Sequence, residues 1–202
     1  MSIDKKQITG LILAGGLSQR MMSNNKSLKM IRGKTLIQRV IQRIEPQVNN
    51  LIINANNDFE KLSNYGHPII PDITSSRIGP LGGIYTGLTK CNLDYLACVP
   101  CDSPILPSNL VLNLAEGILK NNTDAAFATT FHENKYLYHP VFCLLKKKLL
   151  PELKKFLLKK DYKVLNWLSS INSTKVEFDN KRLFTNINSP EDLKNFDKNF
   201  IY

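Results

Sequence analysis

Short runs of β-branched and aliphatic residues recur along the first half of the chain, each followed by glycine, proline or amide residues, with helical apolar spacing in between. The first run covers residues 9–12, and a strand there opens into the paired glycines Gly15 and Gly16. Thr35 suits a helix cap, with Leu36, Ile37, Val40, Ile41 and Ile44 at helical spacing behind it and Pro46 just past the end. A short buried strand at 51–53 leads into Asn54, Ala55, Asn56 and Asn57, and another at 68–70 delivers Pro71 and Asp72. Gly79, Pro80 and Leu81, followed by Gly82 and Gly83, start a helix that runs through Leu88. A strand at 95–99 then delivers Pro100, Cys101, Asp102, Ser103 and Pro104, and Pro107 and Ser108 open a helix to Leu119.

That β-α-β-α rhythm predicts an α/β fold, a mostly parallel sheet with helices on both faces in three layers. Beyond residue 124 the pattern loosens into strands near 125–129 and 137–144, an amphipathic basic helix over 146–163 and a second helical segment around 163–171. A strand near 174–178 and a helix capped by Ser189, Pro190 and Glu191 follow. No repeat or linker divides the chain, so one domain over 1–202 is expected, with the later part folded onto the same sheet.

Composition changes this picture little. The chain has 202 residues, 43% of them hydrophobic, enough for a substantial core. No charged-then-apolar leader opens it and no run approaches the roughly 18 apolar residues of a membrane span, so a cytoplasmic protein without membrane partners is expected. The net charge of +10 favours anionic partners, but eight lysines fall within 146–163, interleaved with Leu149, Leu150, Leu153, Phe156 and Leu157, as on the wet face of a helix. The two aromatics of this stretch, Phe156 and Tyr162, do not make a stacking platform, which argues against nucleic acid. Cys98 and Cys101 form a C-x-x-C without a second matched pair, which reads as a coincidence at a strand end rather than as a zinc site.

The chemistry gathers where strands end, because open α/β sheets bind ligands outside the carboxyl ends of their strands. Gly15 and Gly16 permit close approach of backbone N–H groups, and with Ser18, Arg20 and Lys26 close behind they make a cradle for phosphate. Gly33, Lys34 and Thr35 do not complete a P-loop, since the earlier glycine it requires falls on Leu28. Asp72 and Asp102 follow their strands, whereas Asp94 and Asp124 precede theirs and should face away. Two carboxylates beside a phosphate cradle are hard oxygen ligands for Mg²⁺, the lesser alternative being that Asp102 merely begins a turn before Pro104. Lys26 could neutralise phosphate charge or lie solvated in its loop. His139, before Pro140 on an apolar strand, is either a satisfied structural histidine or a substrate contact.

Taken together, L-A-G-G-x-S-x-R with Lys26, Asn54-Ala55-Asn56, Pro71-Asp72, G-P-L-G-G, P-C-D-x-P, His139-Pro140-Val141-Phe142 and F-x-N-I-N-S-P-E-D-L resemble the molybdenum cofactor guanylyltransferase family in order and spacing, over nearly the whole chain. The resemblance implies a Rossmann-like domain similar to the nucleotide-diphospho-sugar transferases. It implies transfer of GMP from GTP, with Mg²⁺, to the terminal phosphate of molybdenum-molybdopterin, giving the guanine dinucleotide cofactor and pyrophosphate. By the same resemblance, Leu13, Ala14, Gly15, Gly16, Gly79, Pro80 and Leu81 line the nucleotide site, in a nucleotide-binding half of about 1–105. Arg20 and Lys26 hold phosphates, Asn54 and Asp72 contact the nucleoside, and Asp102 binds Mg²⁺, with Arg20, Lys26 and Asp102 as the catalytic set. His139, Asn186 and Asn188 fall on the acceptor side, in a half of about 106–202. A monomer is expected, with recipient molybdoenzymes or their chaperones as further partners.

The acceptor phosphate is already an anion, so the chemistry needs positioning and charge neutralisation rather than a base. L-A-G-G and G-P-L-G-G look like the guanylyl rather than the cytidylyl branch. One segment departs from the family: Met22 and Ser23 replace two glycines and Asn25 an aspartate in Arg-Met-Gly-Gly-x-Asp-Lys, so either the loop takes another path or phosphate binding is weakened. Three rival readings stay open: a transferase for another nucleotide or phosphorylated acceptor, a catalytically weak relative that binds nucleotide or cofactor, which the altered loop permits, and, more distantly, a basic nucleic-acid binder.

Overall fold

The computed structural model describes residues 2–15, 26–74, 78–187 and 191–192. β1 (Ile8–Leu13) is followed by a hairpin of two-residue strands, β2 (Met30–Ile31) and β3 (Lys34–Thr35), then α1 (Leu36–Ile44), β4 (Asn50–Asn54), α2 (Phe59–Ser63) and β5 (Ile69–Ile70). After α3 (Pro80–Lys90) and β6 (Tyr95–Pro100) come α4 (Leu110–Asn121), β7 (Ala125–His132), β8 (Lys135–Lys146), α5 (Leu150–Leu157), α6 (Val164–Ser169) and β9 (Ser173–Glu177). Seven strands make one sheet in the order β5-β4-β1-β6-β8-β7-β9, with strands from both halves of the chain. Four of its six pairings are parallel, and β8 runs antiparallel to both neighbours, β6 and β7.

The two faces of the sheet explain the alternation in the sequence. Ile8 and Ile12 of β1, Ala97 and Val99 of β6 and Phe142 and Leu144 of β8 face a core shared with α1 and α4. Leu11, Leu96, Cys98, Cys143 and Leu145 face the other core, with α3, α5 and α6. Helices cover both faces, which is the three-layer arrangement that the pattern predicts. In α1, all five apolar positions at helical spacing are buried, each worth on the order of 2 kcal/mol, and Thr35 caps the helix by accepting from the Gln38 N–H at 3.2 Å.

Three local expectations are corrected. The hairpin of β2 and β3 lies where only a helix cap is predicted; its turn is built on Arg32 and Gly33 with φ of 45° and 74°, so Thr35 both ends a strand and caps α1. The basic segment is not one helix over 146–163: Lys146 ends β8, α5 covers only Leu150–Leu157, and Lys160 takes a positive φ of 57° that a helix excludes. The strands near 125–129 and 137–144 are longer than predicted and join through Glu133 and Asn134, at φ of 49° and 60°. Ser189 and Pro190, expected to cap the last helix, lie outside the described residues. Among the described residues, no helix is long and apolar enough to cross a membrane.

Candidate active site

Strand register assembles the site. Leu13, the last residue of β1, stands between Asn54 of β4 on one side and Pro100 of β6 on the other. Backbone hydrogen bonds carry this pairing one residue further, Ala14 N–H donating to the Asn54 carbonyl at 2.8 Å and Cys101 N–H to the Leu13 carbonyl at 3.2 Å. Ala14 and Gly15 after β1, the amide cluster after β4 and the aspartate after β6 therefore leave the sheet side by side, at the edge where α/β folds bind ligands.

Next to Gly15, a closed hydrogen-bond network holds Asp72. Asn54 Nδ2 donates to Asp72 Oδ1 at 2.9 Å and to the Ile70 carbonyl at 3.2 Å, and Asn56 Nδ2 donates to Asp72 Oδ2 at 2.9 Å. Asp72 returns a bond from its own N–H to Asn56 Oδ1 at 2.8 Å. Both oxygens of Asp72 thus accept amide hydrogens, which fixes the orientation of the carboxylate. Asn54 is only 2% exposed, so it is the buried brace of the network and Asn56 the exposed member.

Helix α3 closes over this network because its first turns carry no side chains there. Gly79 enters the helix at φ 63° and Pro80 follows at the first helical position, where a missing N–H costs nothing. A Cβ on Gly82 would lie 3.4 Å from Asp72 Oδ2, and one on Gly83 would lie 2.3 Å from Asn54 Oδ1 and 2.4 Å from Leu13 Cδ2. Buried Thr86, one turn on, accepts the Ile73 N–H at 3.1 Å and ties the segment after Asp72 to the helix.

Asp102 lies in the turn after β6, half-buried, with its Oδ1 atom inside the protein. Its carbonyl accepts the Ile187 N–H at 2.8 Å, and the hydroxyl of the next residue, fully buried Ser103, donates to Asn186 Oδ1 at 2.6 Å. Ile187 packs with Ile31, Leu36 and Ile105, so one small core joins the β2–β3 hairpin, the turn after β6 and the segment at 185–187. Among the described residues no group of three or more His, Cys, Asp or Glu side chains could hold a metal. A cation here would rest on the hard oxygens of Asp102 with water and substrate phosphate as its other ligands, which is how Mg²⁺ is commonly held at phosphates.

His139 lies further along the sheet, on β8. Its ring stacks on Phe184 at 4.5 Å, its Nε2 is 3.0 Å from Thr130 Oγ1, and burial lowers its pKa from the ordinary 6.5, so it is held neutral. Asp94 and Asp124 face away as expected: they precede β6 and β7 at the opposite edge, where Asp124 meets Lys146 and Lys148 at 2.9 and 2.8 Å. Cys98 points into the core on the α3 side and Cys101 packs against the core on the other face, so the C-x-x-C spacing brings no two sulfurs into one site.

Gly16, Arg20, Asn188 and the altered stretch 21–25 lie outside the described residues, as does the side chain of Lys26, whose backbone begins a short 3₁₀ turn. Of the remaining candidates, Leu13, Ala14, Gly15, Asn54, Asp72, Gly79, Pro80, Leu81 and Asp102 surround this edge, Asn186 joins it through Ser103, and His139 sits apart on β8. Three participants were missed from sequence. Asn56 could have been found by its position two residues past the buried Asn54; nothing local marks Ser103 or Thr86.

Comparison with known proteins agrees with this fold. Residues 10–174 match the MobA-like NTP transferase domain. The molybdenum cofactor guanylyltransferase of Polynucleobacter asymbioticus is 41% identical over 192 residues, covering 95% of this chain and 96% of that protein, and that of Yersinia pestis is 41% identical over 186 residues, 92% of each. Among solved structures, molybdopterin-guanine dinucleotide biosynthesis protein A from Archaeoglobus fulgidus superposes with a TM-score of 0.74 at 24% identity, covering 94% of this chain and 97% of that one. A CMP:2-keto-3-deoxy-manno-octonic acid synthetase shares the fold with a TM-score of 0.74 at 14% identity, over 96% of this chain and 98% of that one.

Proposed function

The chain belongs to the MobA-like NTP transferases, among the molybdenum cofactor guanylyltransferases, and on that premise we propose that it joins GMP from GTP to the terminal phosphate of molybdenum-molybdopterin. An oxygen of the acceptor phosphate attacks the α-phosphorus of GTP, the bond from that phosphorus to the bridging oxygen breaks, and pyrophosphate leaves. The attacking oxygen is already anionic, so no residue has to remove a proton. The observation that carries this reading is the convergence of Gly15, the Asn54–Asp72–Asn56 network and Asp102 at one sheet edge.

In this reading the backbone N–H groups of Gly15 and Gly16 approach the phosphates, with Leu13, Ala14, Gly79, Pro80 and Leu81 walling the nucleotide. Asp72, its carboxylate fixed by two amides, orients the nucleoside, and Asn54 acts by bracing Asp72. Arg20 and Lys26 neutralise phosphate charge. Asp102 would hold Mg²⁺, which supplies charge neutralisation on the phosphates as the leaving group departs. His139, kept neutral, and the amides of Asn186 and Asn188 serve the acceptor half, about 106–202, which works with the nucleotide half, about 1–105, as one domain. A GTP-consuming reaction of this kind belongs in the cytoplasm, with a monomer handing its product to recipient molybdoenzymes or their chaperones.

Replacing Asp102 with Asn tests the reading. The variant should bind GTP as the parent does and lose turnover by about 10³-fold or more, because the carboxylate acts chiefly where charge develops. Turnover within tenfold of the parent would remove Asp102 from the catalytic set.

A further inference from the structure

The turn that carries Asp102 is gripped by a segment more than 80 residues away. Asp102 and Ser103 meet Ile187 and Asn186 in reversed order, through a main-chain bond of 2.8 Å and a side-chain bond of 2.6 Å. Ser103 is fully buried, and a buried hydroxyl requires a partner; Asn186 Oδ1 supplies it at the short end of the O–H···O range. Ile187, 2% exposed, is locked among Ile31, Leu36 and Ile105, so the grip is anchored in a core rather than resting on solvent. The backbone of Asp102 is thereby fixed at its carbonyl and at the following residue, which leaves its carboxylate only its own side-chain torsions to vary.

We infer that Ser103 and Asn186 form a latch that sets the direction of the Asp102 carboxylate, and that both are positioning residues for the cation which Asp102 holds. The inference rests on the role given to Asp102 under the proposed function. It gives Asn186 a task distinct from acceptor binding: with Oδ1 committed to Ser103, its amide nitrogen is the end of the side chain available to a substrate. Groups that orient a metal ligand typically contribute about 10- to 100-fold in metal affinity when removed.

The experiment titrates Mn²⁺ into the enzyme–GTP complex, follows the enhancement of water-proton relaxation, and subtracts the same titration of GTP alone. Ser103→Ala and Asn186→Leu should each weaken Mn²⁺ binding about tenfold. The double variant should be no weaker than either single one, because both remove one latch. Asn186→Asp retains the acceptor oxygen and should keep Mn²⁺ affinity near that of the parent. In steady state, the Mg²⁺ concentration giving half-maximal rate should rise in the same two variants, while KM for GTP at saturating Mg²⁺ stays level. Mn²⁺ affinity within twofold of the parent in folded Ser103→Ala overturns the latch, and so does a rise confined to the KM of the acceptor. Should thermal melting show Ser103→Ala unfolded, Asn186→Leu decides alone, since Asn186 is exposed. Asp102→Asn runs beside them: unchanged Mn²⁺ binding there sinks the role of Asp102 and the latch with it, whereas loss there with intact binding in the latch variants sinks only the latch.

Discussion

Gly83→Ala tests how closely helix α3 must approach the nucleotide edge. On helix propensity alone the change stabilises, since alanine in a helix interior is favoured over glycine by about 1 kcal/mol. The structure reverses that sign. The added methyl would sit 2.3 Å from Asn54 Oδ1 and 2.4 Å from Leu13 Cδ2, so it and the amide must separate by about 1 Å to reach ordinary contact. Leu13 is half-exposed and can turn aside, but Asn54 is held by bonds to Ile70 and Asp72 and cannot move that far without breaking them. Overpacking of this kind costs about 1–3 kcal/mol, and each lost hydrogen bond adds about 1 kcal/mol. Set against the propensity gain, a net loss of about 2 kcal/mol is expected, which lowers the melting temperature of a chain this size by about 4–8 °C. Urea unfolding at pH 7 measures it, and KM for GTP should rise in the same variant because Asp72 loses its brace. A Gly83→Ala protein that is more stable than the parent would refute the close approach and the fixed amide together.

Phe184→Ala removes a ring that stacks on His139 and meets Phe142 and Phe178 edge-on at 5.0 and 5.2 Å, so about 3–5 kcal/mol should be lost in denaturant unfolding. Thr35→Ala loses the cap of α1 and a 2.6 Å bond to the Tyr65 hydroxyl, and a loss of about 1–2 kcal/mol is expected by the same measurement. Burial raises the Asp124 pKa, but hydrogen bonds from Lys148 and Lys146 outweigh it and hold the carboxyl below the ordinary 3.8. Its folded value being depressed, its contribution is complete above 3.8 and is lost as pH falls through the folded value. Asp124→Asn should therefore cost up to about 1 kcal/mol at pH 7, with a difference from the parent that vanishes toward pH 2 in urea titrations; a constant difference would contradict the pairing. Cys91, Cys98 and Cys143 are buried, and burial, the hydrogen bond with Cys143 and the charges of the neighbouring thiols push the Cys98 thiol up, so a thiol reagent should modify Cys101 first in the native protein and the other three only on unfolding.

The strand ends were legible because apolar runs stop abruptly at glycine, proline or amide residues, and Gly15, Asn54, Asp72 and Asp102 could be placed on one edge from that punctuation. Strand order was not, since nothing in local pattern says that β8 inserts antiparallel between β6 and β7. The hairpin of β2 and β3 was invisible because two-residue strands have no periodicity, and its turn uses Arg32 where asparagine or aspartate is the usual signal. Lysine-leucine spacing read as one long basic helix because periodicity alone does not register the end of β8 at Lys146 or the positive φ at Lys160. Within the site, sequence pointed to a role for Asn54 and to none for Asn56; burial makes the first a brace and leaves the second exposed. The Ser103–Asn186 contact joins residues 83 apart and is a product of tertiary packing that no spacing rule anticipates.

The claim on which the rest depends is guanylyl transfer, and it is tested most directly by offering the purified protein GTP, CTP and ATP in parallel, each with Mg²⁺ and molybdenum-molybdopterin, and measuring both pyrophosphate and the dinucleotide product by mass. Equal amounts of pyrophosphate and guanine dinucleotide from GTP, with far slower turnover of the other two nucleotides, are expected. Faster transfer from CTP, or GTP bound without any dinucleotide formed, would contradict it.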